Sequence, residues 1–202
     1  MNTLIDLKFK GERTYLHGTD MFNESMSWLT RHHAPLKISK IEFSFHKMVK
    51  SSLELSDEKQ DGRGEYVAEC TYLAGAEPRH IYLHETENPV SGRYPYDEEL
   101  ICKGFLVDVA DKSGCYKSSH EKNPGLTDIE IWVALTKALH QQALPEIKGK
   151  WLFVRARFPT YLQKMNYKER RLRIVSNFQN LLTRTKLYAE GEPVGEIFFS
   201  RI

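Results

Sequence analysis

From residue 38 the chain reads ISKIEFSF, apolar and polar side chains mostly alternating, with Ile38, Ile41, Phe43 and Phe45 on the apolar side. That period of about two marks a strand with one covered face. Just upstream the period changes. In MFNESMSWLTRH the residues Met21, Phe22, Met26, Trp28 and Leu29 gather on one side at helical spacing, and Thr19 or Asp20 stands where an N-cap belongs. Ahead of the helix, LIDLKFKGERTYL reads as a strand. After it, KISKIEFSFHKMVKSSLELS is one strand, SDEKQDGRG a loop, and EYVAECTYLAG and EPRHIYLHE two more strands of an antiparallel meander. The turn formers of TENPVSGRYPYDEE, residues 86–99, read as a connector.

The second half repeats this order. ELICKGFLVDVAD predicts a strand and KSGCYKSSHEKNPG a long loop. LTDIEIWVALTKALHQQALPEIKG predicts a helix opened by Thr127-Asp128, with Ile131, Leu135, Ala138 and Leu139 on one face, stopped by Pro145. KWLFVRARFPTYLQ, RLRIVSNFQNLLTRTKLYAEG and EPVGEIFFSRI follow as strands. The two Thr-Asp helix starts are 108 residues apart and the two Glu-Pro turns, AGAEPRHIYLHE and AEGEPVGEIFFS, 115 apart. The sequence therefore predicts two copies of one unit, residues 1–88 and 89–202, joined as one compact pseudo-twofold domain.

Composition narrows the classes. The chain has 202 residues, 41% hydrophobic and 28% charged, the balance of a globular protein. A net charge of +2 from 29 basic and 27 acidic residues gives no basic stripe for a dedicated nucleic-acid binder. No run approaches a membrane span, and the charged N-terminal stretch does not read as a secretory signal. Three cysteines, Cys70, Cys102 and Cys115, without a CxxC pair, argue against a disulfide framework or structural zinc and point to a reducing cytoplasm. Cys115, in its polar loop, reads as an incidental exposed thiol.

One helix followed by antiparallel strands, twice in one chain, resembles the hotdog fold. The resemblance is carried by HGTDMFNESMSWL, LTDIEIWVALTKALHQQ and the closing GEPVGEIFFS. It implies an α+β tandem, or double, hotdog, with two helices each wrapped by an antiparallel sheet, the sheets joined into one. Hotdog proteins mostly act on acyl thioesters of coenzyme A or acyl carrier protein. The expected activity is that of a 3-hydroxyacyl dehydratase or enoyl hydratase. The alternatives are a thioesterase, or a non-catalytic acyl-thioester binder of the same fold. The resemblance implies no separate cofactor, since coenzyme A or phosphopantetheine carries the substrate. The partners expected are acyl-CoA or acyl carrier protein, with no nucleic acid or membrane, and the protein is expected as a monomer or homodimer.

In hotdog dehydratases a histidine ahead of one unit's helix works with an acid on the facing unit's helix. The resemblance puts His120, followed by the turn Pro124-Gly125, in the first role and Glu24 in the second. The fuller Gly-His-Phe-Pro-Gly signature of the family is absent. The mirror pair is His17 with Asp128 or Glu130. A thioesterase of this fold uses a carboxylate near a helix start, a place held by Asp20 and Asp128. Plainer roles stand beside these. Asp20 and Asp128 read as N-caps, Glu24 as a solvent-facing acid favoured by the helix dipole, His120 as an exposed loop residue and His17 as a packing partner of Tyr15. His32 and His33 suit the C-terminal end of a helix and lack further metal ligands. KMNYKERRLR, residues 164–173, could meet the phosphates of coenzyme A or an acidic carrier protein, and by default is a solvated turn. Arg155 and Arg157 in KWLFVRARF read as the open side of a strand.

Overall fold

The computed structural model describes residues 2–59, 66–117, 125–161 and 167–202. The chain divides into two units. One holds Met1–Tyr96 with Pro159–Tyr161, the other Asp97–Phe158 with Leu162–Ile202.

In the first unit β1 (Asn2–Ile5) and β2 (Phe9–Lys10) precede helix α1 (Gly18–His33). Then come β3 (Ile38–Phe45), β4 (Ser51–Ser56), β5 (Ala68–Ala74), β6 (Glu77–Pro89) and β7 (Arg93–Tyr94). The helix forms where the period of 3.6 predicts it and buries Met21, Phe22, Met26, Trp28 and Leu29. Phe22 meets Phe43 of β3 edge-on, with ring centroids 5.6 Å apart. The stretch 4–16 is not one strand. β1 pairs with β4, and β2 pairs in parallel with β7 in a separate two-stranded ribbon. The stretch 38–56 also divides, into β3 and β4. The buried residues Phe43, Val49, Leu53 and Leu55 keep the same parity through the break, so alternation carries no mark of it.

The antiparallel strands of this unit run β1-β4-β6-β5-β3. They do not form the expected simple meander, because β6 lies between β4 and β5. The connection over residues 57–67 is long enough to carry the chain past one strand. The predicted connector 86–99 is more ordered than its composition suggests. β6 continues to Pro89, and β7 follows.

In the second unit α2 (Glu98–Ile101), β8 (Leu106–Asp108) and β9 (Ser113–Lys117) precede α3 (Asp128–Ala143), and β10 (Trp151–Thr160), β11 (Glu169–Phe178), β12 (Leu182–Ala189) and β13 (Glu192–Arg201) follow. The predicted strand 99–111 is thus a helical turn and a short strand, and part of the predicted loop is β9. The order here is β10-β13-β12-β11-β9-β8, a true meander in β11, β12 and β13. Short turns enforce it. The long strand predicted over 171–191 folds back at Gln179 and Asn180, whose φ values are 50° and 58°. Asn tolerates that left-handed geometry, which is why no glycine flags the turn.

The repeated Glu-Pro hairpins are real and alike. Ala74 pairs with Glu77 across Gly75-Ala76, and Ala189 with Glu192 across Glu190-Gly191. Both turns use left-handed backbone, at Gly75 (φ 63°) in one and at Glu190 and Gly191 (φ 51° and 88°) in the other. α3 is nearly enclosed, with Trp132, Leu135 and Leu139 fully buried. No helix among the described residues is long and apolar enough to cross a membrane.

Candidate functional site

The first turn of α1 holds a cluster of polar side chains that local sequence alone does not explain. The N-cap is His17, not Thr19 or Asp20, and its side chain makes no capping bond. Thr19 and Asp20 lie inside the first turn and are buried. The reason is Lys10. Its ammonium, fully buried, donates to Thr19 Oγ1 at 3.0 Å and to Asp20 Oδ1 at 2.9 Å. A buried carboxylate opposite a buried ammonium, each hydrogen-bonded, is the arrangement under which charges tolerate loss of water.

The small β2–β7 ribbon delivers this cation. Pairing Lys10 with Tyr94 places Nζ 5.7 Å from the Tyr94 ring centroid, and 4.3 Å from that of Tyr96. The Tyr94 hydroxyl donates to Asp20 Oδ2 at 2.6 Å. His17 completes the group. Its Nδ1 lies 2.6 Å from Thr19 Oγ1, and Thr19 Oγ1 lies 3.4 Å from Asp20 Oδ1. Imidazole, hydroxyl and carboxylate therefore stand in one chain at a helix N-terminus, where the helix dipole favours negative charge.

The start of α3 has a matching cluster of different chemistry. Thr127 is the N-cap. Its backbone N–H and its hydroxyl both donate to Glu130 at 2.8 Å, the acidic half of a capping box. Asp128 is therefore not the cap. It sits one residue in and accepts from Arg170 Nη2 at 2.5 Å, with both side chains buried. Arg170 Nη1 donates to the Tyr167 carbonyl, and the guanidinium lies over the rings of Tyr167 and Trp132. Burial, then the negative charge of Asp128, holds the Tyr167 hydroxyl above its ordinary range.

The remaining predicted residues fall as follows. Glu24 is exposed on α1, and His120 lies outside the described residues. His17 has Tyr96 beside it, with ring centroids 6.2 Å apart. His32 stacks on Trp28, and His33 Nε2 meets the Tyr72 hydroxyl at 2.8 Å. No group of three metal-ligating side chains occurs among the described residues. The basic run is no solvated turn over 169–173 but the start of β11. Arg170 is buried, and the exposed Arg171 and Arg173 pair with Glu169 and Asp111. Cys115 is only half-buried, in strand β9. It lines an open groove of about 930 Å³ on the second unit, along with those paired arginines.

Sequence reasoning missed Lys10 and Tyr94 as site residues, and also His140. Lys10 carries no signal of its role, since it falls with Asp6 and Lys8 in the polar phase of LIDLKFK, opposite Ile5, Leu7 and Phe9. His140 is fully buried on α3. Its Nδ1 lies 2.7 Å from the Thr136 carbonyl and its Nε2 2.6 Å from Thr183 Oγ1. A carbonyl only accepts, so Nδ1 carries the proton and Thr183 donates to Nε2. Burial lowers the pKa of this imidazole to about 4, and it is a neutral core residue.

No family model and no curated protein matches the sequence. Solved structures do. The tesB protein of Mycobacterium avium subs paratuberculosis superposes with a TM-score of 0.56 at 11% identity, covering 100% of this chain and 92% of that one. A dehydratase from a type I polyketide synthase gives 0.53 at 10% identity, covering 98% and 87%. A protein of Thermobifida fusca YX, provisionally called a thioesterase II, gives 0.51 at 11% identity, covering 100% and 91%. Likeness at such identities speaks for architecture, and with the helix-on-sheet units above it makes this chain a hotdog-fold protein.

Proposed function

We propose that the chain acts on acyl thioesters and hydrolyses them, with the cluster at the start of α1 as its reacting centre. The observation that carries this reading is the sequence of contacts from His17 through Thr19 to Asp20, inside one unit. Hydrolysis needs a base for water, a group that orients the base and a positive field for the oxyanion. His17 is the base. It takes a proton from water as the oxygen attacks the thioester carbonyl. The N-terminal end of α1 faces the developing negative charge. As the tetrahedral intermediate collapses, the C–S bond breaks and the proton passes from His17 to the departing sulfur. The products are a carboxylic acid and a free thiol. Coenzyme A or a carrier-bound phosphopantetheine is the thiol expected.

Dehydratase or hydratase chemistry is the second reading, favoured by the polyketide synthase dehydratase among the structural neighbours. It would draw on His120 and Glu24. The exposure of Glu24 ranks it below hydrolysis.

One assay separates them. A short enoyl-CoA and its saturated analogue are incubated with the full chain, with the enoyl absorbance and free thiol followed together. Thiol release, lost in His17→Gln by on the order of 100-fold or more, is the expected result. Loss of the enoyl band without thiol would give the second reading. Binding without turnover would replace both with a non-catalytic acyl-thioester binder.

A further inference from the structure

Resting on the reading of His17 as base, we infer that Thr19 is a positioning residue. In this arrangement its hydroxyl relays the proton state of His17 to Asp20, and Lys10 holds that hydroxyl in place. The argument is a count of protons and lone pairs. A threonine oxygen has one proton and two lone pairs, and an ammonium has donors only. Lys10 Nζ at 3.0 Å fills one lone pair of Thr19 Oγ1. His17 Nδ1 stands 2.6 Å from the same oxygen. Two arrangements remain. In one, His17 Nδ1–H donates to Oγ1, both lone pairs are filled, and the Thr19 proton points to Asp20 Oδ1 at 3.4 Å. In the other, Thr19 donates to Nδ1, so the ring proton sits on Nε2 and one lone pair of Oγ1 receives no donor from this chain of contacts.

The first arrangement uses every group of the chain and leaves Nε2 as the acceptor, the form a general base needs. It also shortens the response to chemistry. When Nε2 takes a proton, Nδ1 already carries its own. The imidazolium is then met through Thr19 by a carboxylate that Lys10 and Tyr94 hold in position. Among the described residues, the charged and titratable groups around the imidazole include Lys10, Asp20, Tyr94 and Tyr96, with Arg13 over the Tyr96 ring. The preference for Nδ1–H therefore depends on the hydroxyl at position 19, which the isosteric Thr19→Val removes at the same bulk.

The test uses the full chain labelled with nitrogen-15 at histidine, with His17 assigned by its loss in His17→Gln. Ring nitrogen shifts report which nitrogen is protonated. The expected result is a protonated Nδ1 and an unprotonated Nε2 in the wild type. Thr19→Ser should keep that pattern, and the isosteric Thr19→Val should move to a mixture of tautomers. Thiol-release kcat should fall on the order of 10–100-fold in Thr19→Val with KM little changed, and be largely restored in Thr19→Ser. A protonated Nε2 in the folded wild type overturns the inference whatever the activity. So does a Thr19→Val protein that keeps both the wild-type tautomer and the wild-type kcat. Absence of thioester turnover would instead strike the proposed function and leave the tautomer result to decide the relay.

Discussion

The starts of α1 and α3 solve the same problem with different cations. Each puts an aspartate in the first helical turn, buries it, and brings a basic side chain from a strand to meet it. In the second unit the cation is Arg170. Its planar fork bonds Asp128 and the Tyr167 carbonyl together, between two aromatic faces. That is a brace, tying a carboxylate to backbone. In the first unit the cation is Lys10, whose point charge shares its donors between Asp20 and a hydroxyl. The second oxygen of Asp20 takes a tyrosine hydroxyl, and the threonine hydroxyl leads on to an imidazole. A brace of backbone and guanidinium has no proton to move. A chain of hydroxyl, imidazole and carboxylate has. On the proposed reading, this difference in chemistry, more than any difference in fold, gives the reacting role to one helix start and a bracing role to the other.

The comparison can be broken most forcefully at Arg170. Arg170→Met strands Asp128 without its buried cation and should cost about 3–5 kcal/mol in denaturant unfolding, with most of it recovered in the Arg170→Met, Asp128→Asn double variant. A loss under about 1 kcal/mol would mean that water, not arginine, stabilises Asp128.

A pH series sharpens the contrast between the two threonine-bound histidines. His140 has a folded pKa of about 4 against an ordinary 6.5. The unfolded chain binds the proton first, so the contribution is full above pH 6.5 and is lost as pH falls towards 4. The loss amounts to about 3 kcal/mol. The stability difference between wild type and His140→Leu should show that slope, read from urea midpoints. A difference independent of pH between 4 and 6.5 would contradict the buried neutral imidazole.

Lys10→Met should cost less than Arg170→Met, about 2–3 kcal/mol by the same unfolding measurement, because Asp20 keeps Tyr94 and has a partly open edge. An equal or larger cost would erase the distinction between brace and relay. Smallest is Glu130→Ala, which removes the acidic half of the capping box from α3 and should lower stability by about 1 kcal/mol.

The two helices and the paired hairpins were legible because both rest on local period and turn chemistry. Met21 to Leu29 and Ile131 to Leu139 hold helical spacing. Glu77-Pro78 and Glu192-Pro193 follow tight turns of the same length. Strand order was less legible. Phe43 and Leu53 share a parity, so nothing in the alternation says that β3 and β4 part, and no local signal puts β6 between β4 and β5. The candidate site was legible in half. His17, Asp20 and Asp128 stand next to helix starts and drew attention by position. Tyr94 and Arg170 reach those aspartates over long separations in the chain, and Lys10, though only ten residues before Asp20, is turned to it by the folded ribbon. The same gap explains why the caps were misassigned. An aspartate at a helix start reads as a cap until a cation from another element claims it.

The most direct measurement follows turnover per folded molecule for His17→Gln and Asp128→Asn side by side, using thiol release from an acyl-CoA and the thermal midpoint of each protein. The account predicts that His17→Gln keeps its midpoint within a few degrees and loses turnover. It predicts that Asp128→Asn lowers the midpoint while its folded fraction turns over like wild type. Turnover that survives His17→Gln, or that vanishes in well-folded Asp128→Asn, would place the chemistry elsewhere.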